Sequence, residues 1–181
     1  QSGLFYKEQK VRKTEKGTII MRIGIISDTH DHIEHINKAV KIFKDENIPL
    51  VIHAGDYCSP FAILPFEGLN LVGVFGNNDG DHYRLIDKFN AIDGTMAGEF
   101  FEFEQDGLKF ALYHGTQQAI KDALINCGTY DVVISGHTHE KELKKVGKTL
   151  AINPGTANGF DGPATIVIFD TMTQEAEYIE L

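Results

Sequence analysis

The sequence predicts an α/β domain in which two mixed sheets pack face to face with helices on the outside. Three observations carry this. At 181 residues, with 42% apolar and 24% charged residues, the chain is long enough for one self-supporting core and has the balance of an ordinary globule. Short apolar runs recur, each ending abruptly on a polar side chain: Ile23–Ser27 before Asp28, 51–55 before Asp56, 72–76 before Asn77, 110–113 before His114 and 132–136 before His137. Runs of this kind read as buried strands. Finally, the order of elements is βαβαβα and then mostly β with one helix, which suits two stacked sheets.

The elements follow in order. After the first strand, residues 32–46 read as an amphipathic helix, with Ile33, Ile36, Val40 and Phe43 at helical spacing and Asp31 with Glu34 as a capping box. Pro49 closes the connection to the second strand. A short helix is expected over 60–67 after Pro60, and another over 82–90. Residues 99–105 are Phe-rich and lead through Asp106-Gly107, a hairpin signal, into 108–113, where Leu108, Phe110 and Leu112 share a face. Residues 116–126 read as a helix that buries Ala119, Ile120, Ala123 and Leu124 and stops at Gly128. Strands are expected over 142–146, 149–152, 164–170 and 176–181, with turns at Gly147-Lys148 and 171–175.

Residues 1–20 stand apart. They are basic, lack an apolar segment of the secretory kind and precede Met21, which reads as a natural start; Gln1-Ser2-Gly3 resembles a cleavage scar. They are read as a tail outside a folded domain spanning 21–181. The formal charge of the whole chain is −9. Without the tail's five basic and two acidic residues, 12 basic and 24 acidic residues remain, a charge of −12. So acidic a domain argues against long nucleic acids, which need a basic track. No apolar stretch approaches the length of a membrane span. Cys58 and Cys127, without a CxxC motif or a signal peptide, indicate inert thiols in a reducing, cytoplasmic setting.

In an open α/β sheet, ligands gather beyond the carboxyl ends of the strands. Asp28, His30, Asp56, Asn77, His114, His137 and His139 therefore meet at one edge. Four imidazoles, two carboxylates and an amide oxygen suit a pair of divalent metals. In Asp28-Thr29-His30 and His137-Thr138-His139, side chains two apart on extended chain point the same way and grip one ion. Each motif alone is weak: a Gly-Asp pair is commonly a turn, Gly76-Asn77-Asn78-Asp79-Gly80 by itself is a turn signal, and a lone His at a strand end is more often structural.

Together and in this order, Asp28-Thr29-His30, Gly55-Asp56, Gly76-Asn77, His114 and Gly136-His137-Thr138-His139 resemble the calcineurin-like metallophosphoesterase superfamily, whose pattern is DxH, GD, GN, H and GHxH. The resemblance covers 21–181. It extends to the small single-domain phosphodiesterases of bacteria and archaea through the Gly76-Asn77-Asn78-Asp79 block, Asn153-Pro154-Gly155 and the final hairpin. It implies a four-layer α/β/β/α sandwich. Asp28, His30, Asp56 and His139 would hold one metal; Asp56, Asn77, His114 and His137 would hold the other, with Asp56 bridging and Asp56, Asn77 and His114 serving catalysis. The implied reaction is hydrolysis of a small phosphodiester by in-line attack of a hydroxide bridging two divalent ions. Mn²⁺ or Ni²⁺ leads, Fe²⁺ and Zn²⁺ also suit N/O ligation, and Ca²⁺ does not.

One departure stands out. Many family phosphatases carry His where this chain has Asn78, and an amide is no general acid near neutral pH. Diesters and good leaving groups are therefore expected over alkyl monoesters. Asn78 and His82 are expected to face substrate, His32 and His35 to sit on the first helix and Arg84 to lie on the surface; His53 reads as structural, with orientation of a ligand from behind as the alternative. Two other readings are open: a non-catalytic protein-interaction scaffold, as in the retromer subunit of this fold, and a phosphomonoesterase or nuclease. Homo-oligomerisation is compatible with the sequence.

Overall fold

A computed structural model describes residues 22–160 and 162–181. The tail expected over 1–20, and Met21, lie outside the described residues. Two mixed sheets form. The first runs in the order β11-β10-β1-β2-β3-β4, from β1 (Arg22–Ile26), β2 (Leu50–His53), β3 (Leu71–Gly73), β4 (Thr95–Met96), β10 (Thr165–Asp170) and β11 (Glu175–Glu180). The second runs in the order β5-β6-β7-β9-β8, from β5 (Phe100–Gln105), β6 (Leu108–Tyr113), β7 (Val132–Ile134), β8 (Lys141–Val146) and β9 (Thr149–Pro154). Strands β1, β2 and β3 are mutually parallel, as are β6, β7 and β9.

The inner faces meet in a core of Ile23, Ile25, Ile52, Phe103, Phe110, Ile134, Ile152 and Phe169. Phe110 stacks on Phe103 at 4.6 Å and meets Phe169 edge-on at 6.1 Å, tying the two sheets together. On the outer face of the first sheet lie α1 (Ile33–Asp45), the 3₁₀ segment Pro60–Phe66 and α2 (His82–Ala91), packing Ile36, Phe43, Phe66 and Phe89 inward. On the second sheet's outer face, α3 (Gln118–Asn126) covers a small cluster around Ile125, Tyr130 and Val133. This is the expected four-layer sandwich. The Asp106-Gly107 hairpin forms as read, with positive φ at both positions as a two-residue turn requires.

Three local expectations are corrected. The cap of α1 is His32, whose side chain accepts the His35 N–H, not Asp31. Asp31 is spent across the site edge, accepting the Ser59 N–H at 2.8 Å and the Ser59 hydroxyl at 2.6 Å, while Glu34 pairs with Lys38. The face of α3 formed by Ala119, Ile120 and Ala123 is exposed; the helix instead buries Lys121 and Ile125. The reason is electrostatic: the Lys121 ammonium meets the Glu142 carboxylate of β8 at 2.6 Å, which sets the helix's rotation on the sheet. Third, β4 went unanticipated, because two residues carry no periodic signal. No described helix is long and apolar enough to cross a membrane.

Candidate metal centre

Strands β1, β2, β3, β6 and β7 end one to four residues before the first of their ligand-type side chains, so these side chains stand on loops at the carboxyl edge of both sheets. The loops are bound to one another. Asp28 N–H donates to Gly55 O at 3.0 Å, His30 N–H to Asp56 O at 3.1 Å and Gly136 N–H to His114 O at 2.8 Å. Ala157 N–H donates to Ser27 O at 3.0 Å, and the Thr156 hydroxyl to Asp28 O at 3.1 Å.

The backbone here corrects the extended-chain geometry expected for the two paired-ligand motifs. Asp28, His30, Asp56, His137 and His139 all have positive φ, at 53°, 39°, 59°, 70° and 60°. Left-handed conformation is costly for side-chain-bearing residues and gathers at functional sites. The pairs converge because tight left-handed turns aim them inward. The glycines before the ligands serve close approach. A Cβ on Gly76 would collide with the Asp56 carboxylate, and one on Gly136 would strike the Ser27 hydroxyl and lie 2.5 Å from Asp28 Oδ2.

Two overlapping groups of side chains are spaced to hold a cation: Asp28, His30 and His139, and Asp28, Asp56 and His114. His139 Nε2 lies 3.4 Å from Asp28 Oδ1, and His30 Nε2 lies 3.8 Å from the same oxygen. Asp56 Oδ2 stands between His30 Nε2 at 3.6 Å and His114 Nε2 at 3.4 Å. Donors about 2.0–2.2 Å from a shared ion lie about 3–3.5 Å from one another; the two 3.4 Å pairs fall in this range and the 3.6 and 3.8 Å pairs are slightly wider. Asp28 Oδ1 and His30 Nε2 are buried without a hydrogen-bond partner, and a cation between them would satisfy both.

The second group has the same chemistry. Ala54 O can only accept, so His114 Nδ1, 2.7 Å away, carries the ring proton. In the neutral ring Nε2 is then a bare acceptor, 3.1 Å from Asn77 Oδ1 and near Asp56 Oδ2. A divalent cation among these three acceptors would satisfy all of them. The His137 ring lies 5.2 Å from that of His114, while the His137 backbone N–H donates to Asp28 Oδ2 at 3.0 Å.

The field of the cluster follows. Burial raises the Asp28 carboxyl, but His139, His30, His114 and the Ser27 hydroxyl outweigh it and hold the group well below the usual carboxylate range. Burial likewise works against Asp56, yet His114 and the Asn78 amides bring it down. His114 is raised: burial opposes its charged form, and Asp56 and Asp28 overcome that. His137 is lowered by burial and by His114. The carboxylates are ionised and ready as ligands at neutral pH.

The remaining expected residues fall as follows. Asn78 donates twice to Asp56, from its N–H to Oδ1 and from Nδ2 to Oδ2, each at 2.8 Å. His82 starts α2, exposed, stacked on Phe75 at 3.9 Å. His53 is fully buried. Its Nδ1 accepts the Gly55 N–H and its Nε2 meets the Thr29 hydroxyl, so it braces the loops rather than a ligand. His32 and His35 stack at the start of α1, and Arg84 pairs with Asp81 on the surface. Cys58 is half-buried with Sγ 3.3 Å from His30 Nδ1; burial pushes its thiol up to about 12, so it is no thiolate at neutral pH.

Asp79 is the residue that sequence reasoning missed. Its carboxylate accepts the backbone N–H groups of Asp56, Gly76 and Cys58 at 3.0, 2.7 and 2.8 Å. The only signal was an acid two residues past Asn77 in what looked like a simple turn. Ser27, which donates to Asp28 Oδ2 at 2.5 Å, also escaped notice, and Asn153 of the Asn153-Pro154-Gly155 block donates to Gly136 O at 2.8 Å.

Comparison with known proteins agrees with this architecture. The calcineurin-like phosphoesterase superfamily domain matches residues 21–174. Phosphodiesterase MJ0936 of Methanocaldococcus jannaschii is 45% identical over 165 residues, covering 89% of this chain and 98% of the relative. A solved archaeal phosphodiesterase superposes with a TM-score of 0.85 at 44% identity, covering 89% of this chain and all (100%) of that one. Vps29 of Chaetomium thermophilum shares the fold, with a TM-score of 0.65 at 13% identity over 89% of this chain and 96% of that one. A family match over residues 21–174, with a relative 45% identical over 89% of the chain, makes the chain a member of the calcineurin-like phosphoesterase superfamily.

Proposed function

We propose that this chain is a phosphodiesterase that works with two divalent metal ions on small organic phosphodiesters. The observation that carries it is the pair of overlapping donor groups, Asp28 with His30 and His139 and Asp28 with Asp56 and His114, with Asp56 Oδ2 3.6 Å from His30 Nε2 and 3.4 Å from His114 Nε2. Asp28, His30, Asp56 and His139 would hold one ion, and Asp56, Asn77, His114 and His137 the other. Bound there, two divalent ions would supply a nucleophilic hydroxide at neutral pH and neutralise charge gathering on the phosphate. The mixed N and O donors favour Mn²⁺ or Ni²⁺, with Fe²⁺ and Zn²⁺ also suited.

The chain's own residues do the rest. Asn78 fixes the Asp56 carboxylate through both oxygens and so sets its plane. Ala54 O fixes the His114 ring. Asn78 gives a side-chain N–H to Asp56 and, as an amide, is no general acid near neutral pH, which favours diesters and good leaving groups over alkyl monoesters. The acidic charge of −9 supports small substrates over long nucleic acids. A cytoplasmic setting and a homo-oligomer are compatible with this reading.

The test is direct. Metal-stripped protein is re-supplied with each divalent ion and assayed on bis(p-nitrophenyl) phosphate and p-nitrophenyl phosphate. Restored diester turnover exceeding monoester turnover is expected. Tight metal binding without turnover of either ester would favour the scaffold reading.

A further inference from the structure

Next to Asn77 opens a cavity of about 280 Å³ that none of the reasoning above uses. Its walls include the stacked Phe75–His82 pair, with rings 3.9 Å apart and 13° from parallel, Tyr113 and Ile120. Glu99 and Gln117 supply polar groups. The walls are held in place. Phe75 N–H donates to Gly98 O at 2.7 Å, and the Tyr113 hydroxyl accepts the Gln117 N–H at 2.9 Å, fixing ring and helix start together. Gln117 is the N-cap of α3, yet its side chain makes no capping bond. Ile120 is 48% exposed, a large apolar side chain that α3 turns away from the sheet and toward this cavity.

Flat aromatic walls, one aliphatic side chain and two polar groups at the edge are the means of binding a planar ring. The cavity touches Asn77, one of the proposed metal ligands, so a ring bound there belongs to an ester substituent of the phosphate at the centre. We infer that this cavity is a subsite for a planar aromatic substituent of the diester, an aryl group or a nucleobase. Glu99 adds direction: its carboxylate accepts N–H groups of a base and repels further phosphates. The inference rests on the phosphodiesterase reading and names the substrate class.

The experiment holds the leaving group constant as the ring-free 2,2,2-trifluoroethanethiolate and varies the other ester: methyl, phenyl or 5′-adenosyl. With Mn²⁺-loaded wild type, kcat/KM for the ring-bearing esters should exceed that for the methyl ester by about tenfold, through KM. Ile120→Ala and Glu99→Ala are surface changes, and the quantity read is the ring-to-methyl ratio rather than the absolute rate. Ile120→Ala should lower the ratio for both rings. Glu99→Ala should lower it for adenosyl alone if the subsite takes a nucleobase, and for neither if it takes an aryl group. A ratio near one in wild type, or an unchanged ratio for both rings in Ile120→Ala, overturns the subsite. In parallel, adenosine and phenol are titrated into metal-free protein while the amide resonances of Phe75 and Gln117 are followed. Shifts there with either support the subsite without turnover, and no shift with either overturns it. Failure to hydrolyse any of the three esters would instead count against the phosphodiesterase reading.

Discussion

Asp79 Oδ2 accepts the backbone N–H of Asp56 at 3.0 Å across 23 residues of sequence. The same carboxylate takes the N–H groups of Gly76 and Cys58, so one side chain fixes the loop that carries Asp56 against the loop that carries Asn77. Asp79→Asn replaces one acceptor oxygen with a donor facing a donor. Thermal unfolding should show a loss of about 1–3 kcal/mol. Calorimetric titration with Mn²⁺ should show affinity weakened by about 10–100-fold, as for other residues that hold ligands in place. Unchanged values in both would mean that the loops hold their shape without this clamp.

Gly136→Ala tests close approach. The added methyl group would meet the Ser27 hydroxyl and Asp28 Oδ2, both buried and hydrogen-bonded to each other. Overpacking of this kind costs about 1–3 kcal/mol and should displace Asp28 from its ligand position. Gly80→Ala is the control, since nothing lies within 4 Å of the new Cβ. Equal melting temperatures for the two variants would contradict this account.

Elemental analysis after Mn²⁺ or Ni²⁺ loading should approach two ions per chain. Asp56→Asn should weaken both sites and lower diester turnover by at least about 10³-fold, while circular dichroism stays native. Wild-type turnover in the variant under excess metal would remove Asp56 from the bridging position.

The pH dependence of the metal-free fold follows from His53. Burial pushes its imidazole from an ordinary 6.5 down to about 3. The folded value is depressed, so the unfolded chain binds the extra proton. The neutral ring's contribution is complete above about 6.5 and is lost as pH falls toward about 3. Asp28, also held low, acts in the same direction at the acid end. Melting temperature should therefore fall with pH across this window, and His53→Gln should flatten the upper part of the fall. A parallel slope in the variant would show that His53 is not the titrating group.

Leaving-group dependence probes Asn78. Rates on a series of aryl diesters should fall steeply as the phenol becomes more basic, since no acid protonates it. Asn78→His should flatten that slope by up to about 10²–10⁴-fold for poor leaving groups. The variant also loses the 2.8 Å bond from Nδ2 to Asp56, so metal affinity should drop as well. A flat slope in wild type would place the proton donor elsewhere.

What could be read from the chain, and what could not, divides along a physical line. Ile23–Ile26, Leu50–His53 and Val132–Ile134 are buried on both faces, so their composition alone announced strands, and the polar residue ending each run announced the site edge. The Asp106-Gly107 turn is a local preference and was equally plain. The rotation of α3 was not, because it turns Lys121 inward to a half-buried pair with Glu142, a contact that hydrophobic pattern does not mark. Nor was Asp79 legible: its partners are backbone N–H groups, which every residue offers and no sequence pattern marks. The left-handed φ values of the ligand residues were hidden for the same reason, since long-range loop-to-loop bonds impose them.

Those left-handed turns have a thermodynamic consequence. In a zinc finger the metal organises an unfolded chain, and binding is folding. Here the strained backbone of Asp28, His30 and Asp56 is already fastened by bonds such as Asp28 N–H to Gly55 O and His30 N–H to Asp56 O. Ion uptake then orders little chain and buries little apolar surface, so its heat-capacity change should be small. Amide exchange in the loops should be slow before metal arrives as well as after, and one ion can be traded for another without the fold opening.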